Sequence, residues 1–194
     1  MTKIVKIKEL KQQKAVIEVE HNGVVIPHIS TVHLILKYRF TEGQTLTSDQ
    51  YKTFIKDNEF TQLYDRALSY ISYQMRTISE VKKQLKTKVK DDVLIQKVID
   101  ELKRNRYLSD SEYVKEYVTE KLLFDTVGPM YIKEKLIRKG IHYDLIDAEL
   151  IRFTEDLEYA KIEDIIQKEI RYTLKKPLKK VLESLKRKCI SKGF

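Results

Sequence analysis

Tryptophan is absent from this chain, cysteine occurs once, proline three times and glycine five times among 194 residues. The lone Cys189 excludes an intramolecular disulfide and suits a reducing compartment, where a free thiol serves as a small apolar side chain. The five glycines are isolated, so neither glycine-rich spacing that cradles nucleotide phosphates is present and no ATP site is expected. So little glycine and proline, with 35% charged residues, disfavours an all-β chain and suits helices with short connections. No apolar run approaches a membrane span, and Met1-Thr2-Lys3-Ile4-Val5-Lys6 lacks a signal-peptide core. A soluble, cytoplasmic protein without membrane association is expected.

What is present is unevenly placed. The formal charge is +9, yet the last 24 residues hold nine of the 38 Lys/Arg and one of the 29 Asp/Glu. These nine are Arg171, Lys175, Lys176, Lys179, Lys180, Lys186, Arg187, Lys188 and Lys192, with Glu183 the single acid. Such a cluster suits phosphate backbones or another anionic surface; a solvated basic face serving solubility explains the charge equally well.

Three stretches repeat one pattern: 81–89, 132–141 and 185–194, aligned on Leu85, Leu136 and Cys189. A recurrence at about fifty residues is the mark of stacked helical modules, each too small to bury its apolar face alone. The spacing predicts helices over 60–74, 77–88 and 91–105, then from Ser109 to Phe124, from Gly128-Pro129 to Lys139-Gly140, and from Asp144 to Phe153. A last pair covers Glu155–Thr173 and the segment from Pro177. Thr77 with Glu80, and Ser109 with Glu112, make capping boxes; Asp91 or Asp92 and Asp144 are read as caps. Ile95, Val98, Ile99 and Leu102 recur at three and four residues as one buried stripe, and Leu145, Ile146 and Leu150 are placed inward.

Residues before Phe60 read differently. Lys3–Leu10, Ala15–Glu20 and Val24–Ile26 are β-rich, the last two joined by His21-Asn22-Gly23, a tight-turn signal. About three antiparallel strands are predicted, with Pro27 confining the last to an edge or end. Short helices follow over Ser30–Tyr38 and from Thr47, capped with Gln50, to about Lys56. The expected fold is mainly α: tandem three-helix, helix-turn-helix-like repeats in an elongated array with a small N-terminal β-hairpin/α segment. The divisions are 1–59, 60–108, 109–154 and an incomplete third repeat, 155–194.

Catalytic chemistry is not suggested. His21, His28, His33 and His142 are scattered and join no metal-ligand motif. The acidic pairs Asp91-Asp92, Asp144 with Asp147, and Glu155-Asp156 lie where helices begin, where negative charge favours the helix dipole. Tyr38, Tyr70, Tyr73, Tyr113, Tyr117, Tyr131 and Tyr172 recur among Lys and Arg, as base stacking requires; the competing reading places them at the edges of thin helical cores.

At this point the motifs resemble the RecX family of recombination regulators. Leu136-Ile137-Arg138-Lys139-Gly140-Ile141 and Ser191-Lys192-Gly193-Phe194 are similar to the family's basic helix ending in a Lys-Gly-aliphatic or Arg-Gly-Phe turn. Tyr107-Leu108-Ser109-Asp110-Ser111-Glu112-Tyr113, Arg76-Thr77-Ile78-Ser79-Glu80-Val81 and Gly128-Pro129 resemble its helix openings. The β-rich start, with Val32–Tyr38 and Glu42-Gly43-Gln44, resembles the extension of Gram-positive members. Val89 stands where a glycine is expected, Asn105-Arg106 precedes Tyr107 where glycine is common, and Ser109 where an acid is usual. The resemblance implies a cofactor-free, non-enzymatic, monomeric regulator of recombination and DNA repair. It would bind RecA filaments on single-stranded DNA, with duplex DNA as a second ligand, and inhibit RecA's ATP hydrolysis and strand exchange. The filament or nucleic-acid contacts are expected on the nine basic residues above together with Arg138 and Lys139. A sequence-specific helix-turn-helix DNA binder and a helical scaffold are the alternatives.

Overall fold

The computed structural model describes residues 2–173 and 177–194. They form two compact units, one running up to Ser72 and including Leu85–Leu102, the other made of Tyr73–Gln84 with Lys103–Phe194.

The first unit opens with a sheet: β1 (Thr2–Glu9), β2 (Lys14–His21) and β3 (Val24–Thr31) are antiparallel neighbours. Asn22 and Gly23 take φ of 53° and 81°, the left-handed pair that a tight hairpin between right-twisted strands requires. A fourth strand, β4 (Thr45–Leu46), pairs with Thr2 and Lys3, giving the order β3-β2-β1-β4. Two residues are too few for an alternating pattern, so sequence yields three strands rather than four. Pro27 does lie on an edge strand, which continues past it to Thr31, beyond the end expected at Ile26. Thr31 then caps α1 (Val32–Tyr38), its hydroxyl accepting from the Leu34 amide at 3.2 Å.

One face of the sheet buries Ile4, Ala15, Ile17 and Val19 against Leu34, Ile35 and Phe54. Phe54 belongs to α2 (Ser48–Ser72), a single 25-residue helix where two were expected. The gap expected between Lys56 and Phe60 is helical. Tertiary partners hold it so: Asp57 accepts from Lys37 at 2.7 Å and from the Tyr38 hydroxyl at 2.9 Å, and buried Asn58 donates to the Ile29 carbonyl at 2.9 Å. The capping box at its start forms as expected, the Gln50 amide donating to Thr47 Oγ1 and Gln50 Oε1 accepting from the Thr47 amide.

Seven further helices follow among the described residues: α3 (Ile78–Lys86), α4 (Asp92–Arg104), α5 (Asp110–Phe124), α6 (Pro129–Arg138), α7 (Tyr143–Leu150), α8 (Glu155–Thr173) and α9 (Leu178–Ser191). The starts of α3 to α6 are chemically legible. Thr77 and Glu80 exchange their capping-box bonds at 3.2 and 2.9 Å, Asp91 accepts from the Val93 and Leu94 amides, and Ser109 accepts from the Glu112 amide. Pro129 takes the first position of α6, where no amide is needed. The stripe Ile95, Val98, Ile99 and Leu102 of α4 is buried.

In the second unit α5, α6 and α7 enclose a core of Val114, Val118, Ile132, Leu136, Ile141 and Ile146, with Tyr113, Tyr117 and Phe194 packed around it. Two details of α7 differ from expectation. Asp144 lies inside the helix, pairing with His142 Nδ1 at 3.1 Å rather than capping, and Leu145 is partly exposed while Ile146 turns inward. The helix starts at Tyr143, so its inward stripe falls on Ile146 and Leu150. Cys189 is half-buried, and α9 buries none of its residues.

Candidate filament and nucleic-acid interface

A single proline sets the register of α9. Pro177 is its N-cap, and the Lys180 and Val181 amides donate to the Pro177 carbonyl. With 3.6 residues per turn, positions seven apart nearly superpose, so Lys179 and Lys186 form one row and Lys180 and Arg187 the next. All four are exposed, and Glu183 is the carboxylate between the rows. The result is a solvent-facing surface of net charge +3 on one side of one helix.

The other side of α9 faces α8. Ser184 Oγ donates to Glu169 Oε1 at 3.0 Å and Lys188 pairs with the same carboxylate. Val181 and Leu185 are half-buried on this side. Lys188 is thus committed to Glu169 although its side chain stays 42% exposed, and Lys192 Nζ donates to the Thr126 carbonyl at 2.9 Å. Arg171 is exposed in the last turn of α8, where positive charge complements the helix dipole. Lys175 and Lys176 lie outside the described residues.

The two expected contacts on α6 behave differently from each other. Arg138 is exposed and pairs with Glu134 one turn back. Lys139 is half-buried, pairs with Glu80 at 2.7 Å and lies over the Tyr113 ring, 5.4 Å from its centroid. Burial would lower the Lys139 pKa, but hydrogen bonds to Glu80 and Tyr113 outweigh it and raise the value. Burial would likewise raise Glu80, yet Lys139, the Thr77 amide and Arg76 together lower it. Lys139 is therefore engaged inside the protein.

That engagement exposes a feature which the repeated motif signalled but composition did not interpret. The helix α6 ends with the Ile141 amide donating to Leu136 O and the Gly140 amide to Ile137 O. The helix α9 ends with the corresponding pair, Phe194 to Cys189 O and Gly193 to Ile190 O. Gly140 and Gly193 take φ of 79° and 86°, the left-handed cap conformation. Each turn then meets the amino end of an earlier helix: Thr77 Oγ1 donates to Lys139 O at 2.9 Å, and the Gly128 amide donates to Lys192 O at 2.7 Å. The Lys-Gly turns are joints between helices as well as helix stops.

A further anchor comes from Lys161 of α8, which sequence reasoning passed over. Its Nζ donates to the carbonyls of Leu122 at 3.0 Å and Asp125 at 2.5 Å, closing the carboxyl end of α5. Burial lowers its pKa. No local signal marks Lys161, because both acceptors lie more than 35 residues away.

Tyr113 and Tyr117 of α5 pack at the edge of the core, and Tyr131 of α6 is half-buried. Tyr113 and Tyr117 stack with centroids 6.2 Å apart, Lys121 lies over Tyr117, and Lys135 lies over Tyr131. Tyr38 donates to Asp57, and burial with that carboxylate pushes its pKa up to about 12. Tyr73 is exposed, and the Tyr172 side chain lies outside the described set. Of the histidines, His28 Nε2 meets the Tyr51 hydroxyl at 2.9 Å and His21 Nδ1 meets Thr2 Oγ1 at 2.7 Å. Among the described residues no three His, Cys, Asp or Glu side chains form a metal-binding group, and no helix is long and apolar enough to cross a membrane.

Comparison with known proteins agrees with this architecture. A family model described as the first three-helix domain of RecX matches residues 64–102. The regulatory protein RecX of Streptococcus agalactiae serotype V is 30% identical over 191 residues, covering 97% of this chain and 72% of that protein. That of Bacillus cytotoxicus is 29% identical over 161 residues, 83% of this chain; this match spans 60% of the relative's length. A crystal structure of regulatory protein RecX superposes over 100% of this chain and 95% of its own with a TM-score of 0.79 at 25% identity. RecX from Lactobacillus salivarius covers 71% of this chain with a TM-score of 0.67 at 27% identity. With whole-chain similarity in sequence and in fold, the protein belongs to the RecX family of regulatory proteins.

Proposed function

We propose that this protein is a non-enzymatic, cofactor-free regulator that binds RecA filaments on single-stranded DNA and inhibits RecA's ATP hydrolysis and strand exchange. It would act in the cytoplasm, as a monomer, in recombination and DNA repair. The observation that carries the reading is the exposed face of α9, with Lys179, Lys180, Lys186 and Arg187 around Glu183. Four cations on a helix that buries none of its own residues form a surface for phosphates or acidic side chains, and their contribution to affinity falls with salt. Arg171, Arg138, Lys175 and Lys176 extend the proposed contact set. Lys139, Lys188 and Lys192 support it through their intramolecular partners Glu80, Glu169 and the Thr126 carbonyl. The three-helix repeats at 60–108 and 109–154 and the incomplete one at 155–194 are proposed as units that engage successive filament subunits, so that weak contacts add through effective concentration.

The deciding experiment measures RecA's single-stranded-DNA-dependent ATPase with and without this protein. A stoichiometric decrease in rate together with a changed filament lifetime is expected. Unchanged rate and lifetime reject the regulator reading. Fluorescence-anisotropy titrations with single-stranded and duplex DNA, without RecA, separate nucleic-acid binding from recognition of the filament protein.

A further inference from the structure

The two joints share a backbone plan but differ in reinforcement. At the first, Thr77 caps α3 with its side chain, Glu80 holds Lys139, the Ile78 amide donates to Asp110 at 2.8 Å, and buried Ile141 enters the core. At the second, Gly128 contributes no side chain. The amino end of α6 is covered by main chain alone: the Gly128 amide donates to Lys192 O at 2.7 Å and the Met130 amide to Gly193 O at 3.1 Å. The first turn of one helix thus receives the terminal carbonyls of another. Both glycines are sterically required. A Cβ on Gly128 would lie 2.6 Å from the Gly193 carbonyl carbon and 2.8 Å from the Phe194 nitrogen, and one on Gly193 would lie 2.7 Å from Tyr131 Cβ.

We propose that Gly128 and Gly193 are positioning residues for the cationic face: a bare-backbone clasp docks α9 on the start of α6 and thereby fixes the direction in which Lys179, Lys180, Lys186 and Arg187 point. The clasp bears this task because α9 has no buried residue of its own to hold it. Beyond it, α9 keeps the Glu169 contacts to α8, the Lys192 bond to Thr126 and the packing of Phe194 on the core. The helix α8 has its separate anchor through Lys161, so loss of the clasp releases α9 before α8. Pointing matters for binding because a pre-oriented face loses less conformational entropy on meeting a strand than a mobile one. The claim about affinity rests on the proposed anionic partner; the claim about docking does not.

Gly128→Ala separates the clasp from the fold of α6. Gly128 has φ −91° and ψ 172°, extended backbone that alanine adopts freely, and it makes no side-chain cap that alanine would lose. Gly193→Ala attacks the same contact from the other side. The experiment uses the full chain, with hydrogen exchange read by mass spectrometry and a labelled oligothymidylate titrated at several salt concentrations. Both variants are expected to speed exchange in α9 and at the Met130 amide by about tenfold or more, leaving the core amides of α5 and α7 unchanged. Affinity should fall about three- to tenfold with an unchanged salt slope, because every cation is still present. The double variant should resemble Gly193→Ala, which breaks the same contact as Gly128→Ala and also strains the left-handed cap at φ 86°. Unchanged exchange in α9 for both variants overturns the clasp. Faster exchange with unchanged affinity overturns the positioning role. If the unmutated protein binds neither the oligonucleotide nor the RecA filament, the proposed function fails, while the exchange result still decides the clasp.

Discussion

Replacing Lys179, Lys180, Lys186 and Arg187 with glutamine is the most direct perturbation of the proposed interface. All four are exposed on one side of α9, so the change removes charge without leaving an unpaired buried group. Each phosphate contact to a single strand contributes about −0.7 to the slope of log affinity against log salt. If all four engage, the slope should become shallower by about 2.8 units. Between 50 and 200 mM salt those contacts alone account for roughly a fiftyfold loss of affinity in the unmutated protein, a loss the variant should not show. The assay is fluorescence anisotropy with a labelled oligothymidylate across that salt range. Replacing Lys188 and Lys192 with glutamine is the internal control, since these side chains are committed to Glu169 and to the Thr126 carbonyl. A quadruple variant with an unaltered slope refutes the assignment of the face. A control that flattens the slope equally refutes the division between exposed and committed lysines.

Other expectations concern the scaffold beneath that face. Thr77→Val keeps the side-chain shape but removes both the cap on the Glu80 amide and the bond to Lys139 O at a fully buried site, and should cost about 2 kcal/mol in denaturant unfolding. Lys161→Met leaves the Leu122 and Asp125 carbonyls without their ammonium donor and should cost about 1–2 kcal/mol, seen as a lower denaturation midpoint. Burial lowers the His28 pKa, so the folded state binds this proton less readily than the unfolded chain. The associated stability is present above the unfolded value of about 6.5 and is lost progressively as pH falls from there toward the folded value. Unfolding titrations from pH 7.5 to 5 should show this decline, and His28→Gln should reduce it.

Sequence reading succeeded where the physics is local. A capping residue and its partner are three positions apart, so Thr47 with Gln50 and Thr77 with Glu80 are visible as letters and then as hydrogen bonds. The Asn22-Gly23 turn and the left-handed glycines after α6 and α9 belong to the same class. It failed where a distant partner overrides local preference. The helix expected to end near Lys56 runs on because Lys37, Tyr38 and the Ile29 carbonyl supply partners for Asp57 and Asn58. The strand at Thr45–Leu46 exists because β1 offers it an edge.

The same boundary runs through the functional surface. The sequence by itself determined that positive charge gathers near the carboxyl end, that it sits on a helix, and that the Lys-Gly turn recurs. Only tertiary structure decided which of those cations remain available. Lys186 and Arg187 face solvent, while Lys188, one residue further, meets Glu169 nineteen residues away, and Lys192 reaches a carbonyl 66 residues away. The reason is geometric: a helix turns about 100° per residue, so adjacent lysines point in different directions, and what each one meets depends on elements far along the chain.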